Sequence, residues 1–142
     1  MANVIPYAFR GELFTGTHNF ASGGDAFKFA LYTANPYDTA STIYVVTNEQ
    51  SSAGGSNYVA AGNDLGSNAV VYATAVASCD FADSTWSSAT ISVAFGAIFN
   101  TSASDKLCVV LDFSGTKTCT NGTFTVSFPD PSTASNAIIS MA

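Results

Sequence analysis

The sequence predicts a mainly β fold: a single β-sandwich or jelly-roll-like domain of about eight short antiparallel strands with a short N-terminal helix. Three observations predict it. Aromatic and β-branched residues gather in strand-length runs from residue 26 onward, and Gly, Asn, Ser and Pro separate the runs. Residues 123–128 alternate cleanly, with Phe124, Val126 and Phe128 on one face and hydroxyls on the other. Helical spacing of apolar residues occurs at the start, in Ile5, Ala8, Phe9 and Leu13. At 142 residues the chain has the length of one domain, taken as residues 1–142, with 1–22 an N-terminal helix or arm packed on it or on a neighbour.

Taken in order, Asn3 suits a cap, Pro6 a first turn and Gly16 a stop, which predicts a helix over 4–14 weakened by Gly11. Residues 26–32 (Ala-Phe-Lys-Phe-Ala-Leu-Tyr) predict a strand, and Asn35-Pro36-Tyr37-Asp38 a turn. Residues 42–47 read as a strand or a strand-like edge. The stretch 48–68, rich in Gly, Ser and Asn, reads as a surface loop anchored by Tyr58 and Val59, with room for a short strand. Strands follow at 69–73, 79–82 and 89–93, with 94–99 continuing the last through a bulge at Gly96. Residues 107–113 are apolar on both faces, which requires a central place in the sheet or cover on both sides. Asn121-Gly122 ends a loop begun at Ser114, residues 123–128 form the next strand, and 137–142 form a last strand that must be paired.

Composition narrows what the domain meets. Only 10% of residues are charged, against about 25% in an ordinary soluble domain. Four basic residues (Arg10, Lys28, Lys106, Lys117) face ten acidic ones, a net charge of −6. Cations so few and scattered do not suit phosphate backbones or anionic lipid, so neither nucleic acid nor a membrane is expected as a partner. No apolar run approaches the roughly 18 residues of a membrane-spanning helix, and Met1–Pro6 lacks the basic start and apolar core of a signal peptide. Among the three cysteines, Cys108 and Cys119 flank a hairpin-like segment and are candidates for a disulfide. The low cysteine count favours free thiols, Cys79 and Cys108 packing as small hydrophobes.

Catalytic patterns are sparse. His18 is the only histidine, in a Gly/Thr/Asn-rich turn, and reads as an exposed loop imidazole. Asp80 and Asp112, taken as lying on neighbouring strands, are the one carboxylate pair to weigh for a glycosidase. Asp80 and Asp83 are the loop oxygens to weigh for calcium. No phosphate-cradling loop, dinucleotide fingerprint or nucleophile elbow is present. The expectation is a protein that is not an enzyme and needs no cofactor or metal.

The surface is the informative feature. Tyr7, Phe9 and Phe14 sit in the helical segment beside Arg10, while Lys and Glu are nearly missing from the chain. Aromatic enrichment with Lys and Glu depletion marks association surfaces. Tyr7, Phe9, Arg10 and Phe14 are therefore the candidate protein-interface residues.

Several stretches carry a resemblance: residues 28–33 (Lys-Phe-Ala-Leu-Tyr-Thr), 47–49, 58–62 (Tyr-Val-Ala-Ala-Gly), 80–86 (Asp-Phe-Ala-Asp-Ser-Thr-Trp), 94–100, 109–113, 120–126 and 136–139. In order and spacing they resemble small virion proteins of tailed bacteriophages along nearly the whole chain. The chain departs from that pattern at Val93-Ala94-Phe95-Gly96, which lacks the usual Arg, and in its Gly/Ser/Asn stretch, which lacks a Ser-Gly-Thr-Gly run. The resemblance implies a non-enzymatic virion component, foremost a head decoration (cement) protein. Its partners would be the major capsid protein and further copies of itself, as a homotrimer on the head exterior. A receptor- or glycan-binding fibre module, with Tyr37, Tyr58 and Trp86 stacking on sugars, is the competing expectation.

Overall fold

A computed structural model describes residues 3–73, 75–131 and 137–141. The helix is α1, Tyr7–Phe14, and seven strands follow: β1 Phe27–Tyr32, β2 Asn63–Leu65, β3 Ala69–Ala73, β4 Val76–Asp80, β5 Ser84–Asn100, β6 Lys106–Val126 and β7 Ile139–Met141. They form two antiparallel sheets, a larger one in the order β2-β1-β5-β6 and a smaller one in the order β3-β4-β7. The mainly β, sandwich-like expectation is met, but with fewer and longer strands.

Alternation along β1 sets the layering. Phe27, Phe29 and Leu31 point into a core shared with Phe9 of α1, Trp86, Ile91, Val93 and, from the smaller sheet, Cys79 and Ile139. Ala30 and Tyr32 point the other way, into a second core with Tyr37, Ala97, Phe99, Leu107 and Val110. Residues 33–49 lie over that second core, where Tyr44 stacks on Phe99. The larger sheet is thus buried on both faces. This explains the two-sided apolar run 107–113: β6 is an edge strand of its sheet, covered on both sides, and its outer edge is bridged at Val110 by Val4 and at Lys106 by Ile43.

Four expectations are corrected. Residues 42–47 contribute one bridge, at Ile43, and no strand. Residues 114–122 are not a loop: β6 runs through to Val126, and its register against β5 slips between Val93 and Phe95, where Lys117 and Asp112 are the partners. Ser114, Gly115 and Asn121 take positive φ there, so the turn-forming residues are absorbed as bulges along a continuous partner. Gly96 is no bulge but a space: a Cβ on it would come within 2.4 Å of the Phe29 ring. Asn3 does not cap α1; its Oδ1 accepts the Asp112 backbone N–H at 2.8 Å, which ties the arm to β6. The last strand is shorter than residues 137–142, and Ala142 lies outside the described residues.

Candidate functional site

The helix places three of the four candidate residues together. At 100° per residue, Tyr7, Arg10 and Phe14 fall on one face of α1, and Phe9 falls opposite. Tyr7 is 56% exposed and Phe14 93% exposed, and Arg10 is exposed beside them. Phe9 is corrected: it is fully buried, packs edge-on to Phe20 and tilts against His18, and offers no surface to a partner. Between α1 and β7 runs an apolar groove of about 290 Å³, lined by Ile5, Leu13, Phe14, Ile139 and Met141 with Arg10 at its side. The sequence did not signal Met141 as part of this surface, because its exposure depends on where β7 pairs.

His18 is also corrected. Its side chain is buried, at the centre of a polar cluster joining α1 to the larger sheet. Asn100 Nδ2 donates to Asp25 Oδ2 at 2.7 Å and to His18 Nδ1 at 2.9 Å, while Asn100 Oδ1 accepts from the Ala103 N–H. That fixes the amide, makes Nδ1 an acceptor, and leaves His18 Nε2–H to donate to Glu12 Oε2 at 2.8 Å. Lys106 Nζ donates to the other Glu12 oxygen at 2.5 Å. Burial acts to raise the Glu12 carboxyl, yet the bonds from Lys106 and His18 outweigh it and hold it below its ordinary value. The Asn19 backbone N–H, and then the Asn100 amide, hold Asp25 low as well.

Cys108 Sγ lies 3.9 Å from His18 Nδ1, a thiol, imidazole and carboxylate in sequence. The thiol is fully buried, and burial pushes it well above its ordinary range. It stays protonated, without the thiolate a nucleophile needs, and the cluster works as a clamp. All three cysteines are free. Cys119 pairs with Ile91, and Ile98 pairs with the residue after Cys108, so about 23 Å of strand separates the two thiols. A disulfide between them is out of reach.

The remaining expectations of chemistry separate in space. Asp80 pairs with Ala69 in the smaller sheet, and Asp112 pairs with Phe95 in the larger. They are not on neighbouring strands, and the carboxylate pair dissolves. Asp83 Oδ1 accepts the Phe128 N–H, and among the described residues no His, Cys, Asp and Glu cluster could hold a metal ion.

The aromatics proposed to stack on sugars are core residues. Tyr37, Tyr58 and Trp86 are all buried, and both tyrosine hydroxyls are engaged inside. Tyr58 belongs to a second polar cluster around Glu49. The Glu49 carboxylate accepts from Tyr44 Oη, from Tyr58 Oη at 2.7 Å and from the Ala61 N–H at 2.6 Å. Tyr58 Oη in turn accepts the Leu31 N–H of β1 at 3.0 Å. The long loop is thereby pinned at both ends to the sheet.

Comparison with protein-family models, curated proteins and solved structures gives no match.

Proposed function

We propose that the chain is a non-catalytic structural protein of a bacteriophage virion, a head decoration protein that binds the outside of the capsid lattice. The observation that carries this reading is the outward face of α1, where Tyr7 and Phe14 stand 56% and 93% exposed beside Arg10. A large aromatic held in water loses about 1.5–3 kcal/mol of burial energy, so a surface that keeps two of them together suits a partner. The resemblance along the chain supplies the class of partner, the major capsid protein. A surface of Ser, Thr, Asn and Gly with 10% charge suits a molecule partly covered by neighbours.

In this mechanism the domain acts as a rigid clip. The clamps at His18 and Glu49 hold α1 and the long loop against the sheet. The aromatic face then meets the coat without a large ordering cost. Copies arranged as a trimer at local threefold positions would bridge adjacent coat subunits, each contact multiplied by avidity.

Replacing Tyr7 and Phe14 together by serine is expected to abolish co-sedimentation with capsids that lack the protein, with an unchanged circular dichroism spectrum. Retained attachment by the folded double variant defeats this choice of surface. Counting copies per purified particle tests the class: hundreds fit a decoration protein, and a handful fit a fibre.

A further inference from the structure

The smaller sheet overhangs its own core. In its antiparallel register Val70 opposes Cys79 and Cys79 opposes Ile139, while Tyr72 opposes Ala77 and Ala77 opposes Met141. Opposed residues share a face, so these six side chains lie on the side that meets the core. Only the row of Cys79 and Ile139 is fully covered; Tyr72 is 81% exposed, Met141 59% and Val70 37%. Leu13 of α1 adjoins them along a shallow trough lined by Val70, Ala77, Ile139 and Met141. The trough continues into the groove beside Phe14. An apolar sheet face of this kind is ordinarily closed by another layer.

We propose that the missing layer is a second copy of the chain, with Phe14 and Tyr72 of one copy packing into the trough between α1 and the smaller sheet of the next. The area is of the right size. With aromatic side chains presenting about 150–250 Å² each, Phe14, Tyr72, Met141 and Val70 leave on the order of 500 Å² of apolar surface exposed per copy. Interfaces are about 57% apolar, so the whole footprint comes to about 900 Å² per copy. A standard stable interface buries about 800 Å² per partner.

Charge points to the same occupant. The chain carries −6, and two copies must meet where neither presents a carboxylate. The overhang qualifies: Asp80 falls on the opposite face of the sheet by the same register, and Glu12 is turned inward to His18 and Lys106. Arg10 at the margin is the one charged residue lining the adjoining groove. Knob and trough on one surface make it self-complementary, as an interface between identical subunits requires.

The inference goes beyond attachment to a capsid and is tested without one. Sedimentation velocity of the purified chain across micromolar to near-millimolar concentrations is expected to show reversible association. Tyr72→Ser is expected to weaken it by about tenfold or more, with an unchanged urea midpoint because the side chain lies outside the core. Val70→Asp, which sets a carboxylate on the overhang of each copy, is expected to do the same. Tyr7→Ser is expected to leave association intact while lowering capsid attachment, which separates the two surfaces. A wild-type chain that sediments as a monomer throughout overturns the proposal. So does association of folded Tyr72→Ser and Val70→Asp variants at wild-type strength.

Discussion

Glu49 shows how a single side chain organises a region. Its carboxylate takes hydrogen bonds from Tyr44, Tyr58 and the Ala61 N–H, and bonds to a charged acceptor are worth about 1.5–3 kcal/mol each when their loss strands a buried donor. Glu49→Gln keeps the shape but turns an amide N–H₂ toward one of these donors. The variant is expected to lose about 2–3 kcal/mol in urea unfolding, and to be cut by protease within residues 50–62 where the wild type resists. An unchanged midpoint and cleavage pattern refutes the pinning role. The sequence marked Tyr58 as the anchor of this loop but not Glu49, because an isolated Glu beside Asn48 carries no pattern. His18 was illegible for the same reason. Its partners Glu12, Asn100 and, through Asn100, Asp25 come from α1, β5 and a loop, and no local spacing brings them together. Phe9 is different, since helical geometry alone separates it from Tyr7 and Phe14; grouping the four by neighbourhood instead of by angle made them one surface.

Among the elements, the long loop and the β5–β6 hairpin show where local signals mislead. Asn121-Gly122 is a strong turn dipeptide in isolation, yet Gly122 pairs with Ala89 in the middle of the hairpin. The unbroken partner strand supplies hydrogen bonds on both sides of the would-be turn, so tertiary pairing wins and the extra residues bulge outward. Strand cores were legible where alternation or β-branching was dense, as at Phe27–Tyr32 and Ala69–Ala73. The order of strands in the sheets was not, because pairing depends on contacts distant in sequence. The loop itself yields a paired test of steric against conformational constraint. Gly54 and Gly62 both have positive φ, at 70° and 75°, but a Cβ on Gly54 meets open space, whereas one on Gly62 would fall 1.9 Å from the Phe29 carbonyl oxygen. Gly54→Ala is expected to cost about 1 kcal/mol, the ordinary left-handed penalty. Gly62→Ala is expected to cost at least about 2 kcal/mol more, because β1 must shift. Equal urea midpoints for the two variants contradict the close approach of the loop to β1.

For the whole molecule, the buried polar clusters set the pH range over which the fold holds. Asp25 and Glu12 are held below their ordinary values of 3.8 and 4.5. As pH falls, the unfolded chain takes up protons at these carboxyls before the folded chain does, so their contribution is full above the unfolded values and drains away as pH drops through the folded ones. At the other end, burial first of all raises the phenols of Tyr32, Tyr37, Tyr44 and Tyr58 above the ordinary value of 10.0. The carboxylate of Glu49 adds to this for Tyr44 and Tyr58 by accepting their hydrogen bonds. Here the unfolded chain releases protons that the folded chain retains. Stability from the four phenols is therefore complete below about pH 10 and is lost as pH rises beyond it. Urea midpoints measured across pH are expected to form a plateau that falls away below about pH 4 and above about pH 10. Glu12→Gln removes one acid-sensitive carboxyl, so it is expected to flatten the acid limb relative to its own plateau and leave the alkaline limb in place. Tyr32→Phe removes one of the four phenols and is expected to flatten the alkaline limb alone. A Glu12→Gln profile parallel to wild type on the acid side would show that the clamp across α1, His18 and Lys106 is not what couples this fold to protons.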